Sequence, residues 1–177
     1  MLFNVQPLRY TVAESKISIA TRVAELEPVM AMIFSELSGF SLRIVDSRSS
    51  WHVASYDWRY WRIELNYSYF ARDSYNTLPF VLAHETVHAV QWLTSRILRG
   101  ERSADVYVLS RLPTELYPCK KAFYVKVPKN LLLTNSDLVK QIAQESILMR
   151  EQGFRRYIAW FESELKKQSN ELARKSE

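Results

Sequence analysis

The sequence predicts an α+β fold: a short mixed sheet packed against a central apolar helix and further helices, in a single domain spanning residues 1–177. Three observations carry this. Trp61, Ile63, Leu65 and Tyr67 alternate with Arg62, Glu64, Asn66 and Ser68, the period-two pattern of a half-buried strand. The run from Val81 to Leu98 contains neither proline nor glycine and is apolar enough for a buried helix. Further on, Phe154, Ile158, Phe161 and Leu165 recur at helical spacing, a stripe that packs on the domain. With 177 residues, 47% hydrophobic and 13% aromatic, the chain can fill one core and is too apolar for general disorder.

Taken in order, residues 12 to 38 read as mainly helical, with apolar residues from Ala13 to Leu37, a kink or break forced by Pro28, and Gly39 as the close. Ser41 to Asp46, Trp51 to Trp58 and Tyr60 to Phe70 are expected to be strands, rich in β-branched and aromatic residues. Asp73 to Asn76 is a turn, Thr77 an N-cap, and Pro79 falls in the first helical turn, where its missing N–H is harmless. Gly100 should end that helix in the left-handed conformation. Glu101 to Leu112 reads as a second helix. Pro113 to Asn130, with three prolines, is a connector with a strand-like piece at Ala122 to Val127. Asn135-Ser136-Asp137 starts another helix, Gly153 breaks it, and residues 167–177 are expected to form a polar helix end or mobile tail.

The central helix carries His84-Glu85-Thr86-Val87-His88, two of the three histidines in the chain. Residues four apart lie on one helix face, so both imidazoles can reach one metal ion, while Glu85 is turned about 100° towards whatever lies beside it. Two histidine ligands and a carboxylate base are the H-E-x-x-H arrangement of zinc peptidases. Burying these polar groups in an apolar helix without a metal would carry a desolvation penalty. A third ligand follows by elimination. The sole cysteine, Cys119, is far along the chain and reads as a bystander thiol. The remaining histidine is His52, and Glu101 opens the next helix. Glu115 and His52 stand behind Glu101 as fallback ligands. Asp105, one turn after Glu101, can accept the outer N–H of a ligand histidine and raise its basicity.

H-E-x-x-H followed by Gly100-Glu101-x-x-Ala104-Asp105 resembles the gluzincins, and the short interval from His88 to Glu101 is closest to the small minigluzincins. The resemblance covers residues 77 to 112, about a fifth of the chain. It implies a zincin-like fold, Zn2+ as cofactor, His84, His88 and Glu101 as ligands, Glu85 as general base and Asp105 as support for a ligand histidine. It also implies an edge strand beside the metal helix that pairs with an extended peptide substrate, for which Tyr60 to Phe70 is the candidate. The family's downstream oxyanion-stabilising His has no counterpart after His88, so Tyr107, Tyr117, Tyr124 or Arg111 would have to serve. The expected activity is endopeptidase: Zn2+ activates a bound water and polarises the scissile carbonyl, and Glu85 shuttles the proton to the leaving amine.

A net charge of +5 and a pI near 9.3 raise two alternatives: a Spartan- or SprT-like protease acting on nucleic-acid-bound protein, and a noncatalytic basic nucleic-acid-binding module. The first uses a third histidine downstream that this chain lacks. For the second, the basic residues are dispersed, with local pairs only at Lys120-Lys121, Arg155-Arg156 and Lys166-Lys167. A noncatalytic zinc protein with the same ligands is a further alternative, but a structural site has no use for Glu85. The expected partner is therefore a peptide or protein substrate. Met1 to Pro7 lacks the features of a signal peptide, no apolar run reaches bilayer length, and one cysteine suits a reducing compartment. The cytoplasm is the expected location; an intracellular virus-encoded protein is compatible.

Overall fold

A four-stranded mixed sheet and seven helices make up the described residues of the computed structural model, an α+β fold as expected. Those residues are 1–6, 14–47, 52–73, 76–118 and 123–175. Cys119, the Lys120-Lys121 pair and Trp51 lie outside them. The chain divides into two compact units, Met1–Leu98 and Arg99–Glu177.

The first unit begins with β1 (Phe3–Val5), α1 (Glu14–Ile33), β2 (Leu42–Asp46), β3 (Ala54–Asp57) and β4 (Arg62–Leu65). The strand order is β1-β2-β4-β3. β1 and β4 both run parallel to β2, with Phe3 opposite Leu42 and Ile44 opposite Ile63, whereas β3 is antiparallel to β4. Leu42, Ile44, Ile63 and Leu65 are fully buried, so the alternation seen in the sequence does select the core face. α1 continues through Pro28 instead of breaking there. Buried Val23 and Met30 lie on either side, and the Glu27 carboxylate accepts the backbone N–H groups of Leu2 and Phe3. That packing offsets the roughly 3 kcal/mol an internal proline costs. A 3₁₀ turn, Ser35–Leu37, completes the segment.

Tyr60 to Phe70 is not one strand. β4 ends at Leu65 because the Asp46 carboxylate takes the N–H of Tyr67 at 3.1 Å and the Asn66 side chain takes that of Tyr69 at 2.9 Å. Tyr67–Phe70 is therefore a single helical turn, α2, with Asn66 as its N-cap. β4 also lies inside the sheet, so it is not an edge strand; on that side the terminal strand is β3. The turn between β3 and β4 exposes Trp58, Tyr60 and Trp61, the last at φ +50°.

α3 (Leu78–Leu93) packs against β3 and β4. Every residue from Leu78 to Val87 is buried. Thr77 occupies the N-cap position without capping through its side chain; its N–H and hydroxyl both go to the Asp73 carboxylate. Trp92, on the last turn, stacks on Trp58 with ring centroids 5.1 Å apart and 10° between planes. The helix stops at Thr94, whose hydroxyl donates to the Val90 carbonyl, and not at Gly100.

In the second unit, α4 (Glu101–Arg111) is followed by a 3₁₀ turn at Thr114–Leu116, then α5 (Lys129–Thr134), α6 (Ser136–Glu151) and α7 (Tyr157–Lys175). α6 packs against α4, α5 and α7. Its N-cap is Asn135, which accepts the N–H of Leu138. The strand-like piece expected at Ala122 to Val127 forms no strand over residues 123–127. The last apolar stripe is Tyr157, Phe161 and Leu165, since Phe154 precedes the helix and is 41% exposed. Residues 167–175 continue that helix. Among the described residues, no helix is long and apolar enough to cross a membrane.

Candidate metal centre

α3 buries almost everything it carries, and the chemistry-bearing side chains are included. His84 is 4% exposed, Glu85 8% and Gln91 1%, while His88 is half-buried. The i, i+4 spacing places the two imidazoles side by side, with Nε2 of His84 and Nε2 of His88 3.2 Å apart and the ring planes at 79°. Two nitrogens on one tetrahedral zinc at about 2.0–2.1 Å stand about 3.3–3.4 Å apart, so the pair already has the spacing that a shared ion needs.

Glu101 is the first residue of α4 and is exposed. Gly100 precedes it at φ +122° and ψ 151°, a conformation essentially reserved for glycine. The left-handed glycine anticipated here thus opens α4; it does not close α3. His84, His88 and Glu101 each offer one ligand atom, and these atoms all lie within 4.8 Å of one another. Two imidazole nitrogens and a carboxylate oxygen suit zinc and other first-row divalent ions. Among the described residues this is the only such group, so neither His52 nor Glu115, both exposed, joins one.

The outer nitrogen of His88 is held by a residue that the sequence reading passed over. Nδ1 of His88 lies 2.7 Å from Oε1 of Gln91, whose Nε2 donates to the Leu98 carbonyl at 2.8 Å. The available signal was a lone polar side chain in the apolar run Ala89-Val90-Gln91-Trp92, three residues after a ligand and therefore on its side of the helix. Asp105 is fully buried, and its Oδ2 accepts the backbone N–H groups of Tyr124 and Val125. In this way it fastens the 124–125 segment to α4.

The tyrosines differ in what they can offer. The Tyr117 hydroxyl donates to the Leu109 carbonyl, and burial pushes its pKa up. Tyr107 is 2% exposed, with the guanidinium groups of Arg111 and Arg150 over its ring. Burial raises its pKa as well, against the opposing effect of Arg150. Tyr124 is 59% exposed, and its backbone N–H is tied to Asp105. No family model, no curated protein and no solved structure matches this chain.

Proposed function

We propose that this chain is a zinc-dependent endopeptidase of the gluzincin type. The observation that carries the reading is the convergence of ligand atoms from His84, His88 and Glu101 within 4.8 Å, with Glu85 adjacent in the helix to one ligand. A zinc ion bound by these three residues would supply an activated water and polarise a scissile carbonyl. Glu85 is the general base: it takes the proton from the attacking water and delivers it to the leaving amine, a role that requires a carboxylate beside the ion and not on it. Its near-complete burial keeps bulk water from competing for that proton. β3, the terminal strand packed on α3, is the element to which an extended peptide would add as a further strand. With its protruding ring, Tyr124 is the most accessible candidate for polarising the developing oxyanion.

The test is the metal content of protein purified without chelators, wild type beside Glu101→Ala, together with hydrolysis of a denatured protein. The expected result is one zinc per wild-type chain, less in the variant, and cleavage abolished by chelation and restored by zinc. A wild type that takes up no metal when zinc is offered overturns the reading. Undiminished zinc in Glu101→Ala removes Glu101 from the ligand set.

A further inference from the structure

The hydrogen bonds around Gln91 leave little freedom in how the neighbouring imidazole is protonated. The Leu98 carbonyl can only accept, so the Gln91 group facing it at 2.8 Å must be the NH₂. Flipping the amide would set two oxygens against each other. With the amide fixed, its Oε1 faces His88, and an oxygen acceptor at 2.7 Å requires a donor on Nδ1. A neutral imidazole with its proton on Nδ1 carries its lone pair on Nε2, the nitrogen that faces His84. Gln91 is 1% exposed, which keeps water from replacing either bond. The same side chain also ties Leu98, three residues before Glu101, back onto α3.

We propose that Gln91 is a positioning residue of the metal centre, fixing His88 as the Nδ1–H tautomer while anchoring the segment that leads to Glu101. This rests on the zinc reading above and extends it from the ligands to the group that orients one of them. Outer partners of this kind set ring orientation and ligand basicity, and their loss typically costs about 10–100-fold in metal affinity.

Two readouts test this. Long-range ¹⁵N–¹H correlation on the metal-free protein, above the imidazole titration range, reads the tautomer of His88 directly. Competition with a chromophoric chelator reads zinc affinity. The wild type is expected to show His88 protonated on Nδ1. Gln91→Leu should lose that tautomer preference and bind zinc about 10–100-fold more weakly. Gln91→Glu, which keeps an acceptor towards His88 but sets a carboxylate oxygen against the Leu98 carbonyl, should keep the Nδ1–H tautomer while losing the Leu98 anchor, and so bind zinc more weakly than the wild type. A wild type that binds zinc but shows His88 protonated on Nε2 when metal-free overturns this inference alone, as does a folded Gln91→Leu with unchanged affinity. If Gln91→Leu does not fold, the wild-type tautomer and Gln91→Glu decide. A wild type that binds no zinc overturns the peptidase reading instead, so the two failures are distinct.

Discussion

In the proposed mechanism Glu85 separates metal binding from bond cleavage. Gln in its place keeps the size and the hydrogen-bonding capacity but has no basic oxygen. Glu85→Gln is therefore expected to retain zinc at wild-type stoichiometry and to lose about 10²–10⁴-fold in turnover. Metal analysis beside a peptide-cleavage assay checks both halves, and full turnover would exclude Glu85 as the base. Asp105 illustrates a different kind of dependence. Its carboxylate satisfies two backbone N–H groups from a fully buried position, so Asp105→Ala leaves the buried Val125 N–H without this acceptor. A loss of about 1–3 kcal/mol is expected in urea unfolding, the cost of one unmet buried group. At this scale the sequence was informative wherever a spacing encodes geometry. His84 and His88 were legible because a helix fixes what four residues apart means. Gln91 was not, because its role depends on the Leu98 carbonyl, and nothing in a row of letters marks which carbonyl turns back.

The elements that set the site depend on a few backbone positions. Gly100 holds φ +122° immediately before Glu101, with nothing within 4 Å of where a Cβ would stand. Gly100→Ala would therefore meet no clash, and its cost is the backbone conformation itself, about 1–3 kcal/mol. The expected outcome is that loss in denaturant unfolding together with weaker zinc binding, since the first turn of α4 carries Glu101. Unchanged values for both would show that α4 can begin elsewhere without consequence. β2, α3, α4 and α6 were legible from apolar patterning and caps. β1, of three residues, is too short for any period to register, and its pairing partner is distant in sequence. The aromatic stretch after β4 misled for a physical reason. Asn66 and Asp46 capture backbone N–H groups and turn the chain into α2, and local side-chain capping outweighs the β-propensity of Tyr67, Tyr69 and Phe70.

Across the whole molecule, buried phenols should govern behaviour in alkali. Burial raises Tyr56 and Tyr67 from the ordinary 10.0 to about 12, with Asp57 and Asp46 adding to the effect. Between these values the unfolded chain gives up both protons while the folded chain keeps them. Ionisation then favours unfolding, so this contribution to stability is complete below pH 10 and is lost as pH rises towards 12. Thermal midpoints should fall over that interval, with the rings of Tyr56 and Tyr67, followed one by one by NMR, ionising only together with unfolding. Ionisation of either ring in the still-folded protein would contradict the burial. Zinc should act in the opposite sense at neutral pH: at 100 times its dissociation constant, it adds about 2.7 kcal/mol by mass action. His84→Ala should abolish that gain. Apolar patterning made the α+β class readable, but the division at Leu98 and Arg99 was not, because no proline-, glycine- or serine-rich linker marks it.

The stacked indoles of Trp58 and Trp92 have an optical consequence. Trp92 follows His88 by four residues, about 6 Å along the helix axis, and lies on the same face as both histidines. Two parallel chromophores in contact couple their excited states, and a nearby paramagnetic ion such as cobalt drains such emission. Cobalt bound at the proposed centre is therefore expected to quench the emission of unlabelled protein, a readout that needs no substrate. Trp92→Phe, which leaves four tryptophans to emit, should lose the quenched component.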